Sequence, residues 1–140
     1  MKRIFGAAIP LALLVSGCGG GTGAKATPTV VEITMRDNSF SPPTITVPSK
    51  TKVVFRFTNQ GSVEHEAIIG SEMVQTEHAK TMANGGSMSG MGGTETDAAT
   101  VKPGMSADLT MTFTGPETVL IGCHEPTHYE SGMKATITVT

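Results

Sequence analysis

The segment CHEPTHYESGM, residues Cys123–Met133, carries a thiol at Cys123, an imidazole at His128 and a thioether at Met133, at intervals of five residues. Directly after it, residues 134–139 read KATITV, an alternation typical of a strand with one buried face. The three side chains therefore lie on one short loop that ends where a strand begins.

The rest of the chain repeats this alternation in short groups separated by Gly, Pro, Asn and Ser, as expected for strands. The alternating apolar positions include Val31, Ile33, Met35, Ile45, Val47, Val53, Phe55, Phe57, Leu109, Met111, Phe113, Val119, Ile121, Ile137 and Val139. Successive side chains of a strand point to opposite faces, so each group fills one side of a sheet. Together they predict an all-β, antiparallel sandwich of about seven strands.

A second imidazole, His65, lies far upstream at the start of a predicted strand. Two imidazoles and a thiolate in one plane, with a weak axial thioether, are the donors of a mononuclear blue copper site. Thiolate and thioether suit Cu(I) and imidazole suits Cu(II), so the donor set changes little when one electron arrives. Zinc is the alternative, because one Cys, two His and an open position suit it as well.

The order Cys-x4-His-x4-Met before a final strand resembles the C-terminal signature of cupredoxins. Residues 40–42 (FSP) and 59–61 (NQG) are also similar to that family's pattern, and the resemblance covers nearly all of residues 29–140. It implies a cupredoxin-like Greek-key β-sandwich of about seven to eight strands, with a short helical, Met-rich insertion. Within the family, the chain most resembles bacterial cell-envelope cupredoxins linked to copper handling.

By the family's motif, the resemblance implies that one copper ion has His65, Cys123 and His128 as equatorial ligands and Met133 as the axial ligand. A core methionine is the alternative role for Met133, and a solvated turn histidine is the alternative for His65. The ion implied is a type-1 copper.

Two other positions of the C-terminal loop bear on this assignment. Thr127 stands where many family members carry Gly, which alters the loop backbone but removes no ligand. His124 competes with His128 for the metal because it directly follows Cys123. Neighbouring side chains of an extended chain point apart, so we expect His124 beside the site, near the surface and outside the ligand set.

Residues 70–104 interrupt the alternation and form an insertion, with a possible short helix over 71–82. Its soft donors are Met73, His78, Met82, Met88 and Met91. Thioethers bind Cu(I), so one hypothesis is an accessory Cu(I) site in this insertion. The alternative is a surface excursion that binds nothing.

The N-terminus has the order of a secretory signal, with Lys2 and Arg3 before an apolar run and small residues. Residues 14–18 (LVSGC) resemble a bacterial lipobox, in which Cys18 is lipidated and becomes the mature N-terminus. A plain signal peptide with an incidental cysteine is the alternative. A lipid anchor predicts an extracytoplasmic protein of the cell envelope, in the periplasm or on the outer face of the membrane.

This signal sets the expected domain organisation: a lipoprotein signal peptide at 1–17, a flexible tether at 18–27 and a copper-binding domain at 28–140. Cys123 would then be the one free thiol of an extracytoplasmic protein. A bound metal is the simplest reason for keeping such a thiol, and a buried inert thiol is the alternative.

Composition excludes several classes of function. The chain has 140 residues, 38% of them hydrophobic, and a formal net charge of −2, so we expect one domain and no nucleic-acid partner. Its four His cannot supply both a type-1 copper site and a trinuclear cluster, which argues against an oxidase and against enzymes in general. We therefore expect a monomeric electron carrier that meets redox or copper-handling partner proteins and touches the membrane through its lipid anchor only. An envelope copper-sequestering protein that confers copper tolerance is the alternative.

Overall fold

The computed structural model describes residues 27–84 and 98–140. In these ranges the chain forms nine strands and one helix, α1 (Glu72–Ala83), which lies between the fifth and sixth strands. The strands are β1 (Thr29–Arg36), β2 (Ser39–Ser41), β3 (Thr44–Val47), β4 (Lys52–Asn59), β5 (His65–Gly70), β6 (Ala98–Val101), β7 (Ser106–Thr112), β8 (Glu117–Gly122) and β9 (Lys134–Val139).

The strands form two sheets, one in the order β2-β1-β4-β7 and the other in the order β3-β9-β8-β5-β6. The predicted all-β fold is confirmed. The described residues hold nine strands rather than seven to eight, because β2 and β6 have only three and four residues and leave no readable alternation. The ladders β1–β4 and β3–β9 are parallel, so the sheets are mixed rather than wholly antiparallel.

The core lies between the sheets and contains the alternate side chains that the sequence assigned to buried faces. Phe55 and Phe57 of β4 are fully buried. Each meets another ring edge to face, with centroids 6.4 Å apart for Phe57 and Phe40, and 6.3 Å apart for Phe55 and Phe113. This packing gives a rigid scaffold for the loops at the ends of the strands.

Helix α1 confirms the expected helical insertion, and it docks through polar side chains. The Ser71 hydroxyl caps its N-terminus by accepting the Val74 N–H, and the buried helix residues are Gln75 and His78. Gln75 Nε2 donates to the carbonyls of Ile68 in β5 (2.9 Å) and Leu120 in β8 (3.3 Å). These hydrogen bonds, rather than an apolar stripe, attach the helix to the sheet.

We expect Gln75→Leu to lower the free energy of unfolding of the metal-free chain by about 1–3 kcal/mol, because buried groups lose their hydrogen-bond partner. Chemical denaturation measures this loss. Thr76→Ala is the matched control, because the exposed Thr76 hydroxyl bonds only to the carbonyl of Glu72 within α1. Equal stabilities of the two variants would show that Gln75 does not hold the helix.

Several sequence-based predictions fall on residues that the structure does not describe. Residues 1–26, with the signal peptide, Cys18 and all but the end of the tether, lie outside the described ranges, as do Met88 and Met91. In residues 27–84 and 98–140, no helix is long and apolar enough to cross a membrane.

Candidate metal centre

Three of the four predicted ligands come together at one end of the sandwich. One donor atom from each of His65, Cys123 and His128 lies within 4.8 Å of the others. Cys123 Sγ is 3.9 Å from His65 Nδ1 and 3.5 Å from His128 Nδ1. A trigonal ion with bonds of about 2.0 Å to nitrogen and 2.3 Å to sulfur separates such donors by about 3.7 Å. The spacing therefore fits one metal ion held by all three.

The two sheet neighbours β5 and β8 position this cluster. His65 is the first residue of β5, and Cys123 directly follows the last residue of β8. Both side chains are fully buried, whereas His128 is partly exposed. The backbone N–H of Glu66 donates to Cys123 Sγ at 3.4 Å and thereby stabilises a thiolate.

The loop between β8 and β9 is tied together through its backbone. The Cys123 N–H donates to the Met133 carbonyl (3.2 Å), and the Met133 N–H donates to the His128 carbonyl (2.9 Å). Met133 is itself fully buried. The structure thus holds Cys123, His128 and Met133 in one closed turn.

Thr127 shows how the loop accommodates its departure from the family pattern. Its φ of 71° lies in the left-handed region, where Gly is at ease and a β-branched residue is strained by roughly 1–2 kcal/mol. Thr127 therefore keeps the backbone that Gly would adopt and leaves His128 in place.

Burial shifts the pKa values of two residues of the cluster, Cys123 and His65. It raises the pKa of the Cys123 thiol, against the opposing hydrogen bond from the Glu66 backbone, and it lowers the pKa of His65. Without metal, burial therefore favours the protonated thiol of Cys123 and the neutral imidazole of His65. A metal ion that binds as predicted must displace the thiol proton.

His124 lies outside the cluster, as expected, but its predicted place near the surface is wrong. Helix α1 covers it, and its side chain donates from Nε2 to Gln75 Oε1 at 2.8 Å. Gln75 Oε1 can only accept, because the amide nitrogen already donates to two carbonyls, so His124 carries its proton on Nε2. Its ring stacks on Tyr129 at 4.3 Å, and burial, followed by the charge of His78, lowers its pKa to about 4.

The described residues of the proposed accessory site have different surroundings. Met73 is 75% exposed, whereas His78 is buried with Nε2 3.3 Å from Glu66 Oε2. Met82 lines a groove of ≈ 270 Å³ that lies between α1 and the loop after β8. His124, which directly follows Cys123, also lines this groove. Of the described accessory-site residues, Met82 therefore lies on a groove that reaches the loop of the metal centre.

Two side chains near the centre were missed by sequence reasoning. Gln75 bridges α1, β5, β8 and His124, and Asp37 Oδ1 lies 3.3 Å from His65 Nε2. Asp37 precedes His65 by 28 residues and belongs to the turn between β1 and β2. No spacing or alternation in the sequence signals either contact.

Comparisons with known proteins agree with the fold and with copper as the metal. The family described as "Cupredoxin-like domain" matches residues 7–88. The copper-resistant cuproprotein CopI of Rubrivivax gelatinosus is 32% identical over 119 residues, which span 85% of this chain and 70% of that protein. CopI of Pseudomonas aeruginosa is 27% identical over an alignment of 173 positions, gaps included, that covers 94% of this chain and 96% of that protein.

Among solved structures, dithionite-reduced auracyanin from Roseiflexus castenholzii superposes with a TM-score of 0.69 and 27% identity, over 80% of this chain and 97% of that chain. The donors present also fit copper, because imidazole and thiolate at these spacings suit both of its oxidation states. Fold, matched segment and relatives lead to one conclusion: the chain belongs to the cupredoxin-like domain family.

Proposed function

We propose that this protein carries single electrons in the cell envelope by Cu(I)/Cu(II) cycling at one mononuclear type-1 site. The cluster of His65, Cys123 and His128 within 4.8 Å is the observation that carries the proposal. These three residues would hold the copper together with Met133. The protein transforms no substrate of its own.

We also propose that the N-terminus anchors the protein to the membrane and that the domain meets partner proteins there. Cys18 carries the lipid after removal of residues 1–17, and residues 18–27 tether the domain to the membrane. The monomeric domain, at 28–140, meets redox or copper-handling proteins outside the cytoplasm and binds no nucleic acid. The secretory and lipobox patterns of residues 1–18 support this location.

The bound copper supplies a one-electron couple, and the chain supplies a fixed set of donors. Strands β5 and β8 hold His65 and Cys123 in the buried wall of the site, and the closed loop holds His128 and Met133. Donors that are held in place move little when the charge of the metal changes, so the reorganisation cost is small. His128 is the partly exposed member of the cluster, which makes its ring the natural point of electron entry.

Voltammetry of the copper-loaded full chain tests this function. We expect one reversible one-electron wave and one copper per chain, with fast reduction and reoxidation by small redox mediators. Tight copper binding without a reversible wave would refute the carrier function while leaving the site intact.

A second candidate is an envelope copper-sequestering protein that confers copper tolerance through an accessory Cu(I) site in the insertion. Two relatives are described as copper-resistant cuproproteins, which favours it. Cu(I) titration against a chromophoric chelator separates the two functions. A sequestering protein binds further equivalents that disappear when Met73, Met82, Met88 and Met91 are replaced by Leu, and a carrier binds one. Met105→Leu is the control, because Met105 is exposed and lies outside the insertion.

The axial assignment makes a separate prediction. We expect Met133→Leu to retain copper and to raise the reduction potential, because Leu donates nothing and its apolar side chain disfavours the more highly charged Cu(II) relative to Cu(I). Leu has a similar volume, so the fully buried position costs less than about 1.5 kcal/mol of stability. Spectroelectrochemical titration measures the shift. An unchanged potential would mean that Met133 is a core residue and not a ligand.

A further inference from the structure

The turn between β1 and β2 approaches the metal centre from behind His65. Asp37 Oδ1 lies 3.3 Å from His65 Nε2, and His65 Nδ1 is the ring nitrogen that faces Cys123 Sγ. A carboxylate can only accept, so Nε2 is the donor and carries the proton of the neutral ring. This leaves the lone pair of Nδ1 directed at the cluster.

Asp37 is itself held as a carboxylate. The Ser62 backbone N–H donates to Asp37 Oδ1 at 2.9 Å, and the Ser62 hydroxyl donates to Oδ2 at 2.6 Å. These two hydrogen bonds are the main reason that the pKa of Asp37 is lowered. The Asp37 side chain is 48% exposed, so water screens part of its charge, whereas His65 is fully buried.

Gly61 provides the space for this contact. A Cβ at position 61 would overlap Asp37 Oδ1 and would lie 2.8 Å from His65 Nε2. The turn cannot easily retreat, because Asn59 accepts the Gly61 N–H and donates to the carbonyls of Val63 and Val101, all at 2.8 Å. Gly61, which has no side chain, therefore lies where the Asp37 carboxylate contacts the His65 imidazole.

We propose that Asp37 is a positioning residue for the copper ligand His65: its carboxylate fixes the tautomer and orientation of the ring and stabilises Cu(II) relative to Cu(I). The inference deepens the proposed function and rests on His65 being a ligand. A carboxylate on the far nitrogen makes a ligating imidazole more basic, and its negative charge favours the more highly charged metal ion.

Two variants separate charge from hydrogen bonding. Asp37→Asn keeps an oxygen that accepts from Nε2–H and removes the charge, whereas Asp37→Ala removes both. Loss of such outer partners costs about 10–100-fold in metal affinity, and partial exposure places Asp37 near the lower figure. In Asp37→Asn we expect the ratio of Cu(II) affinity to Cu(I) affinity to fall about tenfold. This change raises the reduction potential by about 59 mV. Asp37→Ala raises the potential further.

The charge control is Glu117→Gln. Glu117 is exposed at the start of β8, six residues before Cys123 and roughly 20 Å away along the strand. This variant removes one carboxylate as Asp37→Asn does, and its potential stays at the wild-type value.

Gly61 gives an independent test in which Asp37 is retained. We expect Gly61→Ala to separate Asp37 from His65 and to raise the potential in the same direction. Gly115→Ala is its matched control, because a Cβ there meets no atom within 4 Å. It leaves the potential unchanged.

A readout without copper shows whether Asp37 holds the ring. Proton NMR of the metal-free full chain should show a slowly exchanging His65 Nε2–H resonance, shifted downfield by the carboxylate. The signal persists in Asp37→Asn and is lost in Asp37→Ala.

The inference is overturned if both Asp37 variants keep the wild-type potential, or if the resonance survives in Asp37→Ala. If the copper-loaded wild-type chain shows no thiolate-to-copper band, the proposed function is refuted, and so is the effect of Asp37 on the copper potential. The NMR result still decides whether the Asp37 carboxylate orients His65.

Discussion

We expect Cys123→Ser to remove the intense visible absorption that the ligand assignment predicts for the copper-loaded chain. That band arises from charge transfer between a thiolate and Cu(II), and Cys123 is the thiol whose Sγ lies 3.9 Å and 3.5 Å from the two imidazole nitrogens. A serine hydroxyl does not ionise under the same conditions and offers a harder oxygen in its place. Loss of a residue that only hydrogen-bonds to a ligand costs up to about 100-fold in metal affinity. Cys123 is itself the proposed ligand, so we expect its loss to lower Cu(II) affinity by more than about 100-fold.

Absorption spectroscopy and competition with a Cu(II) chelator measure the two effects. The matched control is Cys18→Ser, because Cys18 is the chain's other cysteine and is the proposed lipidation site, whereas Cys123 is the proposed ligand. Cys18→Ser keeps the band and the affinity. A coloured Cys123→Ser protein would contradict the ligand assignment.

The largest loss of stability is expected for Phe57→Ala. The Phe57 side chain is fully buried in the centre of β4, which pairs with both β1 and β7, and its ring meets Phe40 edge to face. Truncation removes this burial and leaves a cavity between the sheets, so we expect the free energy of unfolding to fall by about 3–5 kcal/mol. Chemical denaturation of the metal-free chain measures it.

The control for this variant is the neighbouring residue on the same strand. Arg56 points to the opposite face, where it bonds to the exposed carboxylates of Asp108 and Glu32. Water screens exposed ion pairs, so we expect Arg56→Ala to have only a small effect on the free energy of unfolding. Similar losses in the two variants would mean that β4 does not separate a core face from a solvent face.

Strand β4 also shows why much of the fold could be predicted. Its alternation of buried and exposed side chains is written directly in the sequence KVVFRFTN, because a strand buries every second residue. Strand β2 has only three residues, and the sequence AATV of β6 does not alternate apolar and polar side chains. The direction of pairing was also hidden, since a parallel ladder such as β1–β4 depends on which strands the chain brings together and not on their own pattern.

The same distinction applies to the metal centre. The residues of Cys123–Met133 share one loop, so their spacing alone indicates a common site, and the donor types indicate the metal. Asp37 and Gln75 reach the centre only because a turn and a helix pack against β5 and β8. His124 is buried because the same helix covers it. The helix packs through the polar residues Gln75 and His78, so its sequence shows no apolar stripe that would predict this contact.

The most direct measurement is a stepwise Cu(II) titration of the full chain, followed by visible absorption. We predict an intense thiolate-to-copper band that grows linearly and saturates at one equivalent, because one thiol and two imidazoles form a single cluster in the described residues. Colourless binding, or no binding, would contradict a mononuclear type-1 site and leave a zinc site or a thiol-independent copper buffer.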